Sequence, residues 1–289
     1  MTLEDFLRDT TTRVNAALER YLPSEKKVPE TLHESVRYSI FAGGKRLRPA
    51  LCVAAYEACG GDAQKEPVWM AAAAIEMTHT FSLIHDDLPC MDDDDMRRGR
   101  PTNHKVFGEA LAVLSGDWLA VYAFDLLAKT GDIRCIGTLA QALGSDGMLG
   151  GQVVDIQSEG KTVDLATVEY IHWHKTAALI QASLVMGGQL AHADEATLSG
   201  LADYGSRIGV AFQIVDDILD LEQTTEALGK DAKSDLARGK ATYPAIVGLE
   251  ASKVKARELV DQAVSDVKRL PIRSEVFELL ADFIVTRVN

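Results

Sequence analysis

Apolar residues recur three and four positions apart along almost the whole chain, and alternation with a period of two is nearly absent. The segments "VWMAAAAIEMTHTFSLIHDD", "NHKVFGEALAVLSGDWLAVYAFDLLAK", "LATVEYIHWHKTAALIQASLVMGGQLA" and "TLSGLADYGSRIGVAFQIVDDILDLE" carry the pattern, separated by short Gly, Pro or Asp punctuation. Such spacing lines up side chains on one face of a helix, so the chain can bury its apolar surface only by packing helices together. Several segments are apolar nearly all round, which predicts an all-α fold: a large helical bundle whose central helices are covered on every side. There is no low-complexity linker, no composition shift and no clear short repeat, and this predicts one all-helical domain over residues 1–289.

Charge narrows the function. A formal net charge of -13 argues against nucleic acid or an anionic membrane as partner, since a phosphate backbone needs a basic face to displace its counterions. Any phosphate must then be met by local cations. The four cysteines, Cys52, Cys59, Cys90 and Cys135, form no CxxC pair and read as reduced core thiols. The N-terminal stretch is acidic and amphipathic, unlike a signal or transit peptide. No run reaches the roughly 18 uninterrupted apolar residues of a membrane span, Glu76 and Asp216 breaking two long stretches. A soluble, cytoplasmic protein without stable membrane insertion is expected.

Against this background, "HTFSLIHDDLPCMDDDDMRRGRPTNH" is unusual, with six aspartates between Asp86 and Asp95 followed at once by Arg97, Arg98 and Arg100. An acidic run is ordinarily a solvated loop. Here an apolar helix runs straight into Asp86 and Asp87, so these carboxylates leave a packed element. Two carboxylates about 5 Å apart repel by roughly 3 kcal/mol at an effective dielectric near 20, so a sheltered pair calls for a cation. Counted from Asp92, the calcium-loop pattern fails: Arg97 stands where glycine is required and Asn103 where glutamate is. Asp86 and Asp92 lie about 240° apart around an unbroken helix, so they can share ions only if the helix ends near Pro89.

A second cluster, "FQIVDDILD", sets Asp216 and Asp220 on one helix face, with Gln213 a turn earlier and Asp217 beside them. A second acidic group inside an apolar helix is costly without a counter-cation. Hard oxygen ligands completed by water and phosphate suit Mg2+, in several ions per site. Separated cations stand ready for the phosphate: Lys45 and Arg48 in "GGKRLRP", Arg97 and Arg98, Lys175 beside Thr176 in "HWHKTA", and Lys230 and Lys240. Any one alone reads as solvated surface; together with two acidic clusters they point to a diphosphate clamp.

These motifs, in this order and spacing, resemble the short-chain trans-prenyltransferases, the farnesyl and geranylgeranyl diphosphate synthase family, over essentially the whole chain. "DDLPCMDDDD" is similar to the family's first aspartate-rich motif in its longer form, "DDILD" to the second, and "GGKRLRP", "HKTA" and "GGQVVDI" match in order. The resemblance implies helices around a central active-site cavity, a homodimer, and condensation of isopentenyl diphosphate with an allylic diphosphate by magnesium-assisted ionisation. It implies that Asp86, Asp87, Asp92 and Asp216, backed by Asp217 and Asp220, hold metal. By the same carry-over Arg97, Lys175 and Lys230 clamp the allylic diphosphate, and Lys45, Arg48, His79 and Arg98 receive isopentenyl diphosphate. Lys240 lies near the mouth, and Thr176 and Gln213 lie beside the developing cation.

His79 stands two helical turns before Asp86 on the same face, whereas His85, His172 and His174 read as structural. The glycines of "GSDGMLGGQVVDI" read as close helix packing, with Gln152 and Asp155 at the border of the cavity. Phe81 and Ser82, one turn before Asp86, are the expected chain-length residues. Bulky Phe81 favours the farnesyl product, with geranylgeranyl diphosphate the alternative. A terpene cyclase has no use for a second diphosphate pocket, and a non-catalytic prenyltransferase subunit is expected to have lost an acidic motif.

Overall fold

The computed structural model of the chain describes residues 2–222 and 242–286. It is all-helical apart from one short hairpin, as the spacing of apolar residues predicts. In chain order the helices are α1 (Leu3–Tyr21), α2 (Glu30–Ile40), α3 (Leu47–Ala58), α4 (Glu66–Asp86), α5 (Asn103–Phe107), α6 (Glu109–Ala128) and α7 (Ile133–Leu143). Next come α8 (Met148–Ser158), α9 (Leu165–Ile171), a π-helical turn (His172–Ala177), α10 (Ala178–Leu190) and α11 (Glu195–Glu222). After the undescribed segment come α12 (Tyr243–Val247), α13 (Leu249–Val267) and α14 (Glu275–Thr286). The hairpin pairs β1 (Met96–Arg97) with β2 (Arg100–Pro101). The chain divides into two compact units, residues 1–53 with 63–136 and residues 54–62 with 137–289.

In the first unit α4 is the spine. Pro67 sits in its first turn, where a missing N–H costs no hydrogen bond, and Ala71 to Ala74, Ile75 and Met77 are fully enclosed. α1, α2 and α6 pack on it. Truncating Ile75 to Ala here would cost about 2–5 kcal/mol. α6 is, among the described residues, the one helix long and apolar enough to cross a membrane. Asp117 and Asp125 lie within it, and Ala112, Ser115, Leu119, Ala123 and Leu126 form a buried face.

The hairpin was not visible in the sequence, because its strands are two residues each and its turn is carried by Arg98 (φ 54°) and Gly99 (φ 73°). Positive φ at both central positions suits the right-handed twist of a tight hairpin. Tyr38 donates to the Pro101 carbonyl at 2.8 Å, and the Asn103 amide donates to the Ser35 carbonyl at 3.0 Å, fastening hairpin and α5 to α2.

In the second unit α11 packs against α10, the π-helical turn and α13. The fully buried Tyr204 donates its hydroxyl to the Phe277 carbonyl at 2.7 Å. Of the cysteines, Cys52 and Cys135 are core thiols as expected, whereas Cys59 is half-buried and Cys90 is exposed. Cys90 follows Pro89 in the loop after α4, where no apolar layer covers it.

Candidate active site

The first aspartate cluster is built by the end of α4. The helix stops at Asp86, and the chain turns back so that the Asp92 N–H donates to the Asp86 carbonyl at 2.8 Å. Asp93 adopts φ 49° in this turn and donates its N–H to the Leu88 carbonyl at 3.0 Å. The break required to bring Asp86 and Asp92 together is therefore present, three residues ahead of Pro89. Both side chains are half-buried, in reach of solvent.

Asp87 behaves differently. It is buried, and its Oδ1 accepts from Arg97 Nε at 2.7 Å and from a second Arg97 nitrogen at 2.6 Å. Burial raises its carboxyl to about 7 against the opposing pull of Arg97. Asp94 stands 3.5 Å from the same guanidinium. Thr102 ties the acidic loop down by donating to the Asp94 carbonyl at 2.7 Å.

Beside this cluster the structure gathers the basic residues read from "GGKRLRP" and "MRRGR". Arg98 donates to the Gly43 carbonyl, and its guanidinium lies flat against Gly44. Gly43 and Gly44 hold φ 99° and 124°, so the Gly pair is required by the backbone, and a Cβ on Gly44 would also displace the Arg98 guanidinium, which it would meet at 2.9 Å. Lys45 is exposed and Arg48 half-buried. His79 is crowded by protein atoms and feels the charges of Arg48, Arg98, Arg97 and Arg46; burial first, then these charges, hold its imidazole well below the usual range. Arg48, His79 and Arg98 thus belong to one neighbourhood of the first unit, and Lys45 stands three residues before Arg48 on the adjoining loop. A pocket lined by Tyr38, Thr80, Ile84, Asp87, Arg97 and Arg98 lies beside it.

The second unit carries the remaining predicted residues. Asp216 is half-buried on α11, while Asp217 and Asp220 are buried. Asp217 is fully engaged: Oδ1 accepts from the Gln213 amide at 3.1 Å, and Oδ2 accepts from the Tyr243 N–H at 2.8 Å and lies 3.2 Å from His172 Nε2. Gln213 in turn accepts from the Thr176 hydroxyl at 2.8 Å. A line of contacts therefore runs from the π-helical turn through Thr176, Gln213 and Asp217 back to His172. The widened turn sets His172 and Thr176 toward the same partner helix; such turns recur at functional sites.

Lys175 ion-pairs with Asp155 of α8 at 2.6 Å. A Cβ on Gly151 would come within 2.3 Å of the Lys175 backbone nitrogen, so the glycine of "GGQVVDI" serves close packing, as the sequence suggests. Lys230 and Lys240 lie outside the described residues. Phe81 is buried and meets the His85 ring edge-on at 5.8 Å, and His85 contacts the Val113 carbonyl of α6 at 3.0 Å. Ser82 donates to the His79 carbonyl at 2.9 Å.

Sequence reading did not name the partner of His172, a residue it reads as structural, whose Nε2 lies 3.2 Å from Asp217 Oδ2. Arg46 was passed over although Glu76, an acid inside "AAAAIEM", already demanded a buried cation.

Hard carboxylate oxygens and neighbouring guanidinium and ammonium groups on an all-helical chain define a class: the isoprenoid synthase fold, shared with solved farnesyl and polyprenyl diphosphate synthases. The chain belongs to the polyprenyl synthetase family, whose model matches residues 29–278. It is 44% identical to a dimethylallyltranstransferase of Fischerella ambigua over 99% of this chain and 84% of that one. It is 46% identical to a chloroplastic geranylgeranyl pyrophosphate synthase of Catharanthus roseus over 96% of this chain and 79% of the other. A Helicobacter pylori geranyltransferase, solved with magnesium and isoprenyl diphosphate, superposes with a TM-score of 0.84 at 32% identity, covering 100% and 96% of the two chains. The protein is a short-chain prenyl diphosphate synthase, and its reaction is prenyl transfer.

Proposed function

We propose that the protein condenses isopentenyl diphosphate with an allylic diphosphate, using Mg2+, and stops at farnesyl diphosphate. The observation that carries the substrate and metal assignment is the turn after α4, which brings the Asp92 N–H to the Asp86 carbonyl and leaves both aspartates half-buried, with Arg97 within reach of the Asp86 charge. Among the described residues no three acidic, histidine or cysteine groups are gathered round one point. Two carboxylates with the remaining positions left to water and diphosphate oxygens fit magnesium, which keeps several such ligands. Asp86, Asp87 and Asp92 in the first unit, and Asp216 in the second, are the ligands that the family resemblance implies, and magnesium held by them would neutralise the charge of the departing diphosphate.

The chain's own residues complete the chemistry. Asp87 orients the Arg97 guanidinium, so a fixed positive charge faces the leaving group and needs no reorganisation as charge develops. The family resemblance adds Lys175 of the second unit to the groups that meet the allylic diphosphate; Lys230, read into the same clamp, and Lys240, read near the mouth, both lie outside the described residues. Lys45, Arg48 and Arg98 bind isopentenyl diphosphate, with His79 contributing a neutral hydrogen-bonding ring. Thr176 donates its hydroxyl hydrogen bond to Gln213, so its lone pairs remain to face the allylic cation. The new carbon–carbon bond forms from the isopentenyl double bond, and the proton lost passes to the released diphosphate. One family model spans both compact units, which supports action as a single catalytic domain.

Phe81 supports the farnesyl limit. It is bulky, stands one turn before Asp86 and is braced by His85, whose ring fills the space left by Gly116; a Cβ there would approach His85 Nε2 to 2.1 Å. A braced side chain is a firmer floor than a mobile one. The names of plastid relatives favour the geranylgeranyl product as the second reading. Product analysis with labelled isopentenyl diphosphate tests both: the wild type is expected to yield farnesyl diphosphate, and Phe81→Ala to shift it to the longer chain. Twenty-carbon product from the wild type would remove Phe81 as the stop.

A homodimer is supported by the outer face of α6, where Leu114 is 56% and Val121 71% exposed a helical repeat apart. Sedimentation should give twice the chain mass, and Val121→Glu should halve it; a monomeric wild type would overturn this.

A further inference from the structure

Arg46 sits in the middle of "GGKRLRP", between the two cations assigned to isopentenyl diphosphate, yet it points the other way. It is buried, holds φ 49°, and spends its guanidinium inside the protein. One nitrogen meets Glu76 Oε1 at 2.6 Å, another donates to the Ile40 carbonyl at 2.6 Å, and Nε donates to Asn15 at 3.1 Å. Both members of the Arg46–Glu76 pair have side chains only 2% exposed. The left-handed backbone at a residue with a long side chain is sparsely populated and persists only where the surroundings enforce it. Here the buried fork enforces it.

The partners of Arg46 are the end of α2, the middle of α1 and α4. Glu76 stands three residues before His79 on α4, about one turn away. The pair therefore joins the loop bearing Lys45 and Arg48 to the helix bearing His79, and the same loop, at Gly43 and Gly44, receives the Arg98 guanidinium. A buried ion pair is weak as a source of stability, because desolvation consumes most of the attraction, and apolar residues of similar volume often replace it without loss. Its fork geometry can, however, fix one backbone arrangement where an apolar pair would allow several.

We infer that Arg46 and Glu76 are positioning residues for the isopentenyl diphosphate pocket, setting the loop of Lys45 and Arg48 in register with His79 without touching substrate. The inference rests on the reading of that pocket given above. It is tested by Arg46→Met, Glu76→Leu and the double variant, with thermal unfolding and separate Michaelis constants for the two substrates. Each single change leaves a buried charge without its partner and should lower the unfolding temperature. The double variant should recover it, while its KM for isopentenyl diphosphate stays raised by about tenfold, within the range caused by small misplacement of a binding group. Its KM for the allylic diphosphate should remain near that of the wild type.

A folded double variant with a wild-type KM for isopentenyl diphosphate would overturn the inference. If the double variant does not fold, Arg46→Lys carries the test, since it keeps the charge beside Glu76 but lacks the fork; an unchanged KM there is equally fatal. Calorimetric titration with isopentenyl diphosphate separates the two levels. Loss of binding in Arg48→Ala with none in the double variant sinks only the role of Arg46, whereas unchanged binding in Arg48→Ala sinks the pocket itself.

Discussion

The dipeptide Asp-Asp at 86–87 and again at 216–217 is the same in sequence and is housed in two different ways. The first lies where α4 ends and the chain doubles back; the second lies within α11, an unbroken helix of 28 residues. In both, the leading aspartate is half-buried and the following one is buried and spent on the protein. What the second aspartate holds differs. Asp87 holds a cation, Arg97, while Asp217 holds a backbone N–H, an amide and an imidazole. A carboxylate in an acidic motif can thus also anchor the protein around it.

The comparison breaks most sharply at the leading residues. Asp86→Ala and Asp216→Ala should each lower turnover by about 10³-fold, the scale for removing a group that stabilises developing charge, with circular dichroism unchanged. Near-normal turnover for both in magnesium buffer would undo the assignment of both clusters.

The following residues should show a smaller and different loss. Asp217→Asn weakens a charge-assisted acceptor for Tyr243 and His172 and should cost about 1.5–3 kcal/mol in denaturant unfolding. It should also raise KM for the allylic diphosphate through Gln213, while leaving the magnesium dependence near that of the wild type. If Asp217→Asn shifts the magnesium midpoint as far as Asp216→Asn does, the two residues are equivalent ligands and the distinction fails.

The smallest effect is one of pH. Asp87 is raised from 3.8 to about 7, so between those values the folded protein keeps a proton that the unfolded chain has released. With more protons bound in the native state, the metal-free protein should lose stability as pH rises from about 4 to about 7. Asp87→Asn should flatten that slope, and magnesium should oppose it by favouring ionised carboxylates. A slope unaltered in Asp87→Asn would assign it to another group.

Much of this was readable in advance, and the exceptions share a cause. Spacing marked α4 and α11, and the angular argument on Asp86 and Asp92 required a helix end that is present. The glycine of "GGQVVDI" was read as packing and does pack. The hairpin at 96–101 was missed because two-residue strands have no periodicity and Arg is an unexpected residue at positive φ. The work of His172 and Arg46 was missed because each depends on a partner far away in sequence, at Asp217 and Glu76.

The sequence by itself determined that the chain is helical and that its carboxylates and cations are those of a prenyltransferase, since periodicity and motif order are local properties of the residues. Only the tertiary structure decided which aspartates are half-buried and which are buried against partners from distant segments, and how far each basic residue is exposed. Those outcomes depend on burial and on partners from distant segments. The fate of a charge is set by the groups that enclose it, and one-dimensional spacing does not carry that information.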